Sequence, residues 1–514
     1  MRPKNFIIFA LILFFGFSSL CIAGDTISLS LEDCIIEALK SNLKVAVEMY
    51  NPELADVSLT RAKEIFMPRF DLSYGSRQTE EPSYWWIQGA ETVVSEYSDY
   101  SLSLVQQIPT GGNLSLSLSS YKSDTNQGFQ LINPRYGSIL QFNFTQPLLR
   151  DFGFKIGRKE IIIAQNNLDI SQSQFKSVLM DTIFRVQEAY WNLVFAIENY
   201  KVKQQSLQLA KDLLAKSKKE VEVGKLAPIE ILNAETVVAS READILQAEA
   251  LIRKSEDIIK NILNLPEEDG IDTKEIVPVD KPEFIEVKIS LEEAIQQARA
   301  YRPELMIQRK TIESKELNLS VAKNQMLPGL NLNFSYWSPG ISGDRLLYLD
   351  NNPFLGIVIG KEKGSPNDSL RDAFKILYKN WSVGLTLSIP VSTVLTRADY
   401  VKARMELEKS QIELKDAEKQ ILLEVKDAVR EIETNAKIVE AYKLAREFAE
   451  KRLEAEEKKL MVGLTTNYFV LQYQEELATA RSQEIKALVD YNLALAKFEK
   501  AIGMSLAKRN IKMR

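Results

Sequence analysis

Two hydrophobic periodicities alternate along this chain. The first places mostly apolar or small residues at alternating spacings of three and four, as in Leu207, Ala210, Leu214, Ser217, Val221 and, further on, Ile231, Ala234, Val238, Arg241, Ile245, Ala248, Ile252. Such heptad spacing predicts long helices that supercoil left-handedly. Neither proline nor glycine interrupts about 66 residues before Gly224, so this helix would extend about 100 Å. A second stripe on the return helix predicts packing on two sides: Leu232, Ala239, Ala243, Leu246 and Ala250.

The second periodicity alternates apolar and polar residues, which predicts β-strands. It covers residues 70–74, 102–104, 113–119, 140–144, 330–334 and 381–389. Its polar positions are mostly serine, asparagine and glutamine, and small uncharged groups opposite leucine and phenylalanine are typical of a transmembrane β-barrel. Aromatic residues cluster at the strand ends, where an interfacial girdle is expected; the alternative is that they pack on one another in loops. The candidates are Trp85, Trp86, Trp337 and Trp381.

The same order of elements occurs twice. The segment Ser30-Leu31-Glu32-Asp33-Cys34-Ile35 recurs as Ser290-Leu291-Glu292-Glu293-Ala294-Ile295, and Val223-Gly224 recurs as Val462-Gly463. Each copy predicts a short helix, strands and a long helical hairpin, and two such copies complete one core together. The predicted organisation is a first repeat over 24–265 (strands about 68–148, hairpin about 158–265, tip at Gly224), a linker over 266–288, a second repeat over 289–505 (strands about 328–336 and 381–390, hairpin about 397–505, tip at Gly463) and a tail over 506–514.

The first residues predict a secretory signal peptide over 1–23, because basic residues precede a short apolar run and a small residue stands at the cleavage site. Cys21 makes lipid attachment an alternative, although Leu20 precedes it where a small residue is usual. Cleavage after Ala23 leaves Cys34 as the one cysteine of the mature chain. We expect it to be a small buried residue of the first helix rather than a reactive thiol.

Charge and residue types narrow the possible functions. The formal net charge is -5, which argues against a nucleic-acid partner. The sequence contains no histidine, so histidine-based triads, general bases and zinc ligands are excluded. It also lacks a nucleophile arrangement, a metal-ligand spacing and a phosphate loop. We therefore expect no enzyme activity, no cofactor and no metal.

One chain has too few predicted strands to close a membrane barrel by itself. Because an open sheet edge is not tolerated in lipid, several copies of the chain must form the barrel together. Two copies of short helix, strands and long hairpin after a signal peptide resemble the TolC family of outer-membrane efflux factors. The similarity covers essentially the whole mature chain. It includes the tip segment 462–472 (VGLTTNYFVLQ), the terminal segment 491–503, and Pro147 and Pro390 at the strand-to-helix junctions.

The resemblance implies an α+β membrane protein: a homotrimer with one shared transmembrane β-barrel, surrounded by outer-membrane lipid and continued by a long α-helical barrel in the periplasm. It implies the passive exit duct of a tripartite efflux or type I secretion system, opened by a periplasmic adaptor and an inner-membrane pump or ABC transporter. Expected adaptor-docking residues lie at the hairpin tips: Gly224, Lys225, Gly463, Leu464, Thr465, Thr466 and Asn467. The alternative function is a secreted, periplasm-spanning coiled-coil scaffold without a pore.

The sequence departs from the family pattern in the strands. The first half carries an additional hairpin over 100–121, so we expect four barrel strands per protomer plus an accessory hairpin, with six strands as the alternative. The segment from Ser338 to Asn380 is rich in turn residues and is expected to be an extracellular loop.

A second departure lies at the tunnel entrance, where the family often has a tyrosine, an arginine and aspartates. The aligned positions here are Leu460, Thr465, Phe469 and Gln472. We hypothesise an apolar gate ring at Phe469 that excludes water, with Glu230 as the one acidic residue at the matching offset of the first repeat. The alternative is that Phe469 packs between the hairpins.

Overall fold

A computed structural model describes residues 26–265 and 275–511. The expected signal peptide with Cys21, part of the expected linker and the end of the expected tail lie outside the described residues. The chain forms two compact units. The first contains the described residues of Met1–Glu53, Asp169–Arg309 and Glu413–Arg514, and the second contains Leu54–Leu168 and Lys310–Ile412.

Most of the chain is helical. The helices are α1 Leu31–Ser41, α2 Leu43–Glu64, α3 Phe154–Gly157, α4 Lys159–Glu222, α5 Ile229–Leu263, α6 Leu291–Tyr301, α7 Pro303–Gln325, α8 Pro366–Phe374, α9 Val394–Met461 and α10 Asn467–Ala501. The two predicted long hairpins are therefore α4 with α5 and α9 with α10. Their first helices contain 64 and 68 residues, which confirms the length expected from the heptad pattern. No helix in 26–265 or 275–511 is long and apolar enough to cross a membrane.

The strands form two sheets. They are β1 Thr26–Leu29, β2 Arg69–Pro82, β3 Thr92–Gln107, β4 Asn113–Thr125, β5 Ile132–Pro147, β6 Glu275–Pro278, β7 Gly329–Tyr348, β8 Val358–Glu362 and β9 Asn380–Ser388. The large sheet has the order β2-β3-β4-β5-β7, and different parts of β7 pair next with β9 and β8. All pairs of neighbouring strands in the large sheet are antiparallel. The small sheet pairs β1 with β6 in parallel.

Two expectations about the strands were wrong, and the expected linker contains a strand that was not predicted. The hairpin of β3 and β4 is not accessory, because both strands lie inside the large sheet, which holds six long strands. The segment from Ser338 to Asn380 is not only a loop, since β7 continues to Tyr348 and is followed by β8 and α8. The linker over 266–288 contains β6, whose pairing partner β1 lies about 250 residues earlier in the chain and leaves no local signal.

The core of the first unit repeats itself as the sequence does. One buried cluster is built around Ile183, Val186 and Tyr190 of α4, and the other around Val425 and Ala428 of α9. Side-chain oxygens of Ser30 and Ser290 accept a hydrogen bond at the start of α1 and α6, which fixes where the short helices begin.

Cys34 is fully buried in the first of these clusters. Burial, together with the nearby Asp33 and Asp280, raises the pKa of its thiol to about 12. A thiol in this state is a poor nucleophile, so the expectation of a structural cysteine is confirmed.

Candidate functional site

The large sheet has one apolar face. Cross-strand pairing aligns six apolar side chains in a single row, one from each long strand: Phe70, Leu104, Leu116, Phe142, Tyr336 and Trp381. The neighbouring rows on this face contain Leu72, Leu102, Leu118 and Leu140 on one side and Leu114, Phe144, Phe334 and Val383 on the other. Many of these side chains are exposed, including Leu72 at 75% and Trp381 at 67%.

The opposite face is polar and internally hydrogen-bonded. Ser115, Asn143, Ser335 and Ser382 form one row across four strands. The Ser335 hydroxyl donates to the Asn143 Oδ1 at 2.8 Å, and the Asn143 amide donates to the Ser115 Oγ at 3.3 Å. A sheet with one exposed apolar face and one polar face separates a lipid-like environment from a wet one.

The sheet has two unpaired long edges. Within the described residues, β2 pairs only with β3, and β9 pairs only with β7. The chain therefore leaves backbone hydrogen-bonding groups free along β2 and β9, and such edges readily pair with another strand.

The four tryptophans predicted to form a girdle occupy different places. Trp85 and Trp86 lie in an exposed turn between β2 and β3, and Trp381 is the second residue of β9, on the apolar face. Trp337 lies on the polar face, because its partners are Gln141 and Asn380. This position does not fit a girdle that faces lipid.

The two hairpin tips share one backbone geometry. Gly224 and Gly463 have φ values of +73° and +78°, and no heavy atom lies within 4 Å of where a Cβ would stand. The Gly224 N–H donates to the Val221 carbonyl at 2.9 Å and the Lys225 N–H to the Glu220 carbonyl at 2.8 Å. The corresponding bonds at the second tip run from Gly463 to Leu460 at 3.1 Å and from Leu464 to Lys459 at 2.9 Å. Both long helices thus end in a Schellman motif at a left-handed glycine.

The side chains at the two tips differ. At the second tip the Thr465 hydroxyl donates to the Glu456 carboxylate at 2.6 Å, and Lys459 pairs with Glu456 at 3.0 Å. These two bonds lower the pKa of Glu456. The Asn467 amide donates to the Ser217 hydroxyl at 2.8 Å, which joins the start of α10 to α4 of the first repeat.

The predicted docking residues are therefore not equally accessible. Lys225, Leu464 and Thr466 are exposed, while Thr465 is half-buried. Asn467 is 1% exposed, so the expectation that it contacts a partner is corrected: its amide is used inside the chain because Ser217 offers a buried acceptor.

The predicted gate residues also differ in exposure and in their contacts. Leu460 is half-buried and packs against the buried cluster around Leu453 and Val470. Phe469 is 43% exposed and its ring meets that of Tyr468 edge-on at 5.5 Å. Gln472 is exposed one turn further along α10 and donates to Glu476 at 3.2 Å. Glu230 is half-buried, the second residue of α5.

Arg241 is a further buried contact that was not singled out from the sequence. Its guanidinium donates to the Ser206 carbonyl of α4 at 2.7 Å and to the Leu471 carbonyl of α10 at 3.0 Å, and it lies 3.5 Å from the Glu475 carboxylate. Burial lowers the pKa of Arg241, and Glu475 acts against this shift. The sequence nevertheless indicates these buried polar contacts, because Arg241 and Ser217 both occupy positions of the heptad pattern that are otherwise apolar.

Comparison with known proteins identifies the class. A family model described as outer membrane efflux protein matches residues 113–265 and 294–504. Because these ranges cover well over half of the chain, the protein belongs to the outer membrane efflux protein family. It is located in the outer membrane with an extension into the periplasm, and members of this family are efflux channels rather than enzymes.

Several relatives agree with this assignment. The outer membrane protein TolC of Vibrio cholerae is 23% identical over 382 residues, which cover 72% of this chain and 78% of the relative. The crystal structure of the Campylobacter jejuni CmeC outer membrane channel superposes with a TM-score of 0.64 at 16% identity and covers 94% of this chain and 88% of that one. The open-state structure of the Neisseria gonorrhoeae MtrE channel gives 0.62 at 16% identity, covering 94% and 91%.

Proposed function

We propose that this protein is the passive exit duct of a tripartite efflux or type I secretion system. Three copies would share one β-barrel in the outer membrane, continued by a barrel of long helices in the periplasm. The observation that carries the proposal is the large sheet, whose central apolar row runs across all six long strands while the opposite face carries a polar row across β4, β5, β7 and β9. Substrate would leave along the polar face and lipid would contact the apolar face.

The free sheet edges support closure between copies. Successive strands from β2 to β9 alternate in direction, so β9 runs opposite to β2. The β9 edge of one copy would therefore meet the β2 edge of the next in an antiparallel pair. Three copies joined in this way leave no open edge in lipid.

Exposed apolar stripes on the helices support the same assembly. On α2 the side chains of Leu43, Val47, Tyr50, Leu54 and Val57 are all exposed and follow heptad spacing. On α9 the exposed apolar residues include Val401, Met405 and Ile412. Stripes of this spacing are seams for helix packing, and neighbouring copies would cover them.

The tips support docking of a periplasmic adaptor that couples the duct to an inner-membrane pump or ABC transporter. Gly224 and Gly463 stand in open space, next to exposed Lys225, Leu464 and Thr466. A partner backbone can approach a glycine turn closely because no side chain blocks it. We assign Thr465 a structural role through Glu456 and exclude Asn467 from the docking surface.

For the closed state we propose that Phe469 forms an apolar ring at the tunnel entrance, with Gln472 and Glu230 beside it. The exposed ring of Phe469 near the second tip supports this role. A ring of three phenylalanines would exclude water and block ions. Phe469→Ala should raise the closed-state conductance several-fold, whereas Tyr468→Ala, which removes the neighbouring exposed ring, should not. Unchanged conductance in Phe469→Ala would refute the gate.

Disulfide cross-linking tests the closure of the barrel. Leu72→Cys on β2 would be combined in turn with Val383→Cys, Leu385→Cys and Leu387→Cys on β9, because the register between copies has to be scanned. One combination should give covalent dimers and trimers after oxidation. Leu116→Cys on the interior strand β4, combined with the same β9 cysteines, is the matched control and should give none. Covalent products that stop at dimers, or none in any register, would refute a closed trimer.

A further inference from the structure

Helix α8 lies on the apolar face of the large sheet. Its Ser369 and Ala373 are fully buried, and the Ser369 hydroxyl lies 2.9 Å from the Ser138 hydroxyl of β5. Ser138 pairs with Gly340 of β7, and a Cβ at Gly340 would stand 2.0 Å from the Ser369 carbonyl oxygen. Small residues on both sides therefore let the helix approach the strands closely, on the face that carries the leucine and phenylalanine rows.

The position of α8 along the strands is also defined. The Ser342 hydroxyl of β7 donates to the Ser365 carbonyl just before α8, while Gly340 faces the later residues Ser369 and Ala373. The helix thus runs along β7 toward the apolar rows. It ends at Phe374, and β9 begins at Asn380 beside Trp337. The segment 374–381 therefore lies at the border of the apolar band, at the end of the strands away from α3 and α9.

This border segment combines exposed apolar side chains with unpaired positive charge. Phe374, Leu377, Tyr378 and Trp381 are all exposed. Lys375 and Lys379 are exposed as well, and no carboxylate lies within ion-pair distance of either in the described part of the chain. Aromatic rings and lysines at the edge of an apolar band are typical of a membrane interface, where the charged groups meet lipid phosphates.

The apolar band on the strands is short at this place. On β7 it extends from Leu330 to Tyr336, and the next outward positions are Ser338, Gly340 and Ser342. Six residue steps span about 20 Å along a strand, or about 15 Å of depth at usual barrel tilts, against about 25 Å for an outer-membrane barrel. Helix α8 covers the small residues beyond the band, and its last residue Phe374 and the following Leu377 present apolar side chains in their place.

We propose that residues 374–381, together with α8, bind the outer leaflet of the membrane, with the apolar side chains in the lipid interface and Lys375 and Lys379 on the phosphate groups of its lipids. The ligand is an anionic, phosphate-bearing lipid, because two unpaired lysines next to an apolar surface match a phosphate headgroup joined to acyl chains. This inference rests on the proposed barrel, since it takes the apolar face as the lipid-facing side.

The test is thermal unfolding of the purified oligomer in detergent, titrated with lipid A as the phosphate-bearing probe. Lipid A should raise the Tm of the wild-type protein, and inorganic phosphate should not. In K375Q/K379Q the lipid A concentration that gives half of the shift should rise about 30-fold, at about five-fold per lysine. The control K361Q/K363Q replaces two exposed lysines, Lys361 in β8 and Lys363 directly after it. Its titration with lipid A should match that of the wild type.

The apolar part is tested by Phe374→Ser with Leu377→Ser, which should weaken stabilisation by both lipid A and phosphatidylcholine. Single-channel conductance of each variant is recorded in parallel and should remain unchanged, which separates failure of this inference from failure of the proposed duct. No lipid A effect on the wild type, an unaltered K375Q/K379Q, or equal weakening in K361Q/K363Q would overturn the proposal.

Discussion

The two hairpin tips have the same backbone and different side-chain contacts. Both long helices end at a left-handed glycine with the same pair of backbone hydrogen bonds. Ser217 and Glu456 occupy equivalent positions in the two repeats, and both are buried. Ser217 accepts a hydrogen bond from the other tip, whereas Glu456 holds the turn of its own tip through Thr465.

This difference shows what duplication keeps and what it changes. The glycine and the Schellman bonds are kept, because only a left-handed residue reverses the chain there at low cost. The residues that follow are changed: Pro228 stands where the second repeat has Asn467. Side-chain hydrogen bonds therefore hold the second tip both internally, through Thr465 and Glu456, and to the first hairpin, through Asn467 and Ser217. The first tip has its backbone hydrogen bonds and Pro228 instead. We expect the two tips to present different surfaces to a partner.

The largest expected effect comes from removing the contact between repeats at Arg241. Arg241→Ala deletes hydrogen bonds to two helix carbonyls and the pairing with Glu475, and should lower the local opening free energy of α5 and α10 by about 3 kcal/mol. Hydrogen exchange of the amides near 237–245 and 468–476 measures this. Lys211→Ala, which breaks an exposed ion pair with Glu242, should cost about 0.5 kcal/mol. Equal losses in both variants would contradict the role of Arg241.

The next effect concerns the bond between the tips. Asn467→Ala and Ser217→Ala should each destabilise the start of α10 by about 1 to 2 kcal/mol, because each removes the buried bond between them, and Ser217→Ala also leaves the Asn467 amide without its acceptor. The double variant should cost less than the sum, with a coupling of about 1 kcal/mol. Exchange protection of residues 463–470 is the readout. Strict additivity would show that the two side chains do not act as a pair.

The shared backbone predicts matched effects at the two glycines. Gly224→Ala and Gly463→Ala should each cost about 1 kcal/mol, because alanine is strained at positive φ and no neighbouring atom adds a clash. Hydrogen exchange of the backbone amides in the two turns measures this cost in each variant. A large cost at one tip and none at the other would contradict the equivalence of the backbones.

The smallest effect is a pH dependence confined to the second tip. Thr465 and Lys459 lower the pKa of Glu456, so the contribution of Glu456 is full above the ordinary carboxyl pKa and is lost as pH falls through the lowered value. Exchange protection around Thr465 should therefore decrease in acid, below about pH 4.5, while the Gly224 tip stays unchanged. Glu456→Gln should abolish the step. A step of equal size at both tips would rule out Glu456 as its cause.

Local patterns predicted most of the fold. Heptad spacing predicted the long helices of the hairpins, with their tips at Gly224 and Gly463, and alternating segments predicted the long strands. Both periodicities depend on neighbours a few residues apart. The pairing of β1 with β6 and the burial of Asn467 depend on partners about 250 residues away, so no local pattern reports them. Helix α8 was missed because nine residues between turn signals resemble a loop.

Some errors were avoidable from the sequence. Trp337 follows Tyr336 in the same strand, so the two side chains point to opposite faces, and Trp337 lies opposite the apolar alternation that ends at Tyr336. Arg241 and Ser217 interrupt apolar stripes, and a polar residue in such a position needs a partner. The six long strands could have been predicted by counting the six alternating segments, without assuming the usual strand number of the family.

The central claim is that the polar face of the large sheet lines a pore. Single-channel conductance measures this directly, with the native oligomer extracted from the outer membrane and reconstituted in a planar lipid bilayer. The account predicts discrete conductance steps, and larger closed-state currents in Phe469→Ala. A folded, membrane-inserted trimer that conducts no ions in either form would contradict it and favour a scaffold without a pore.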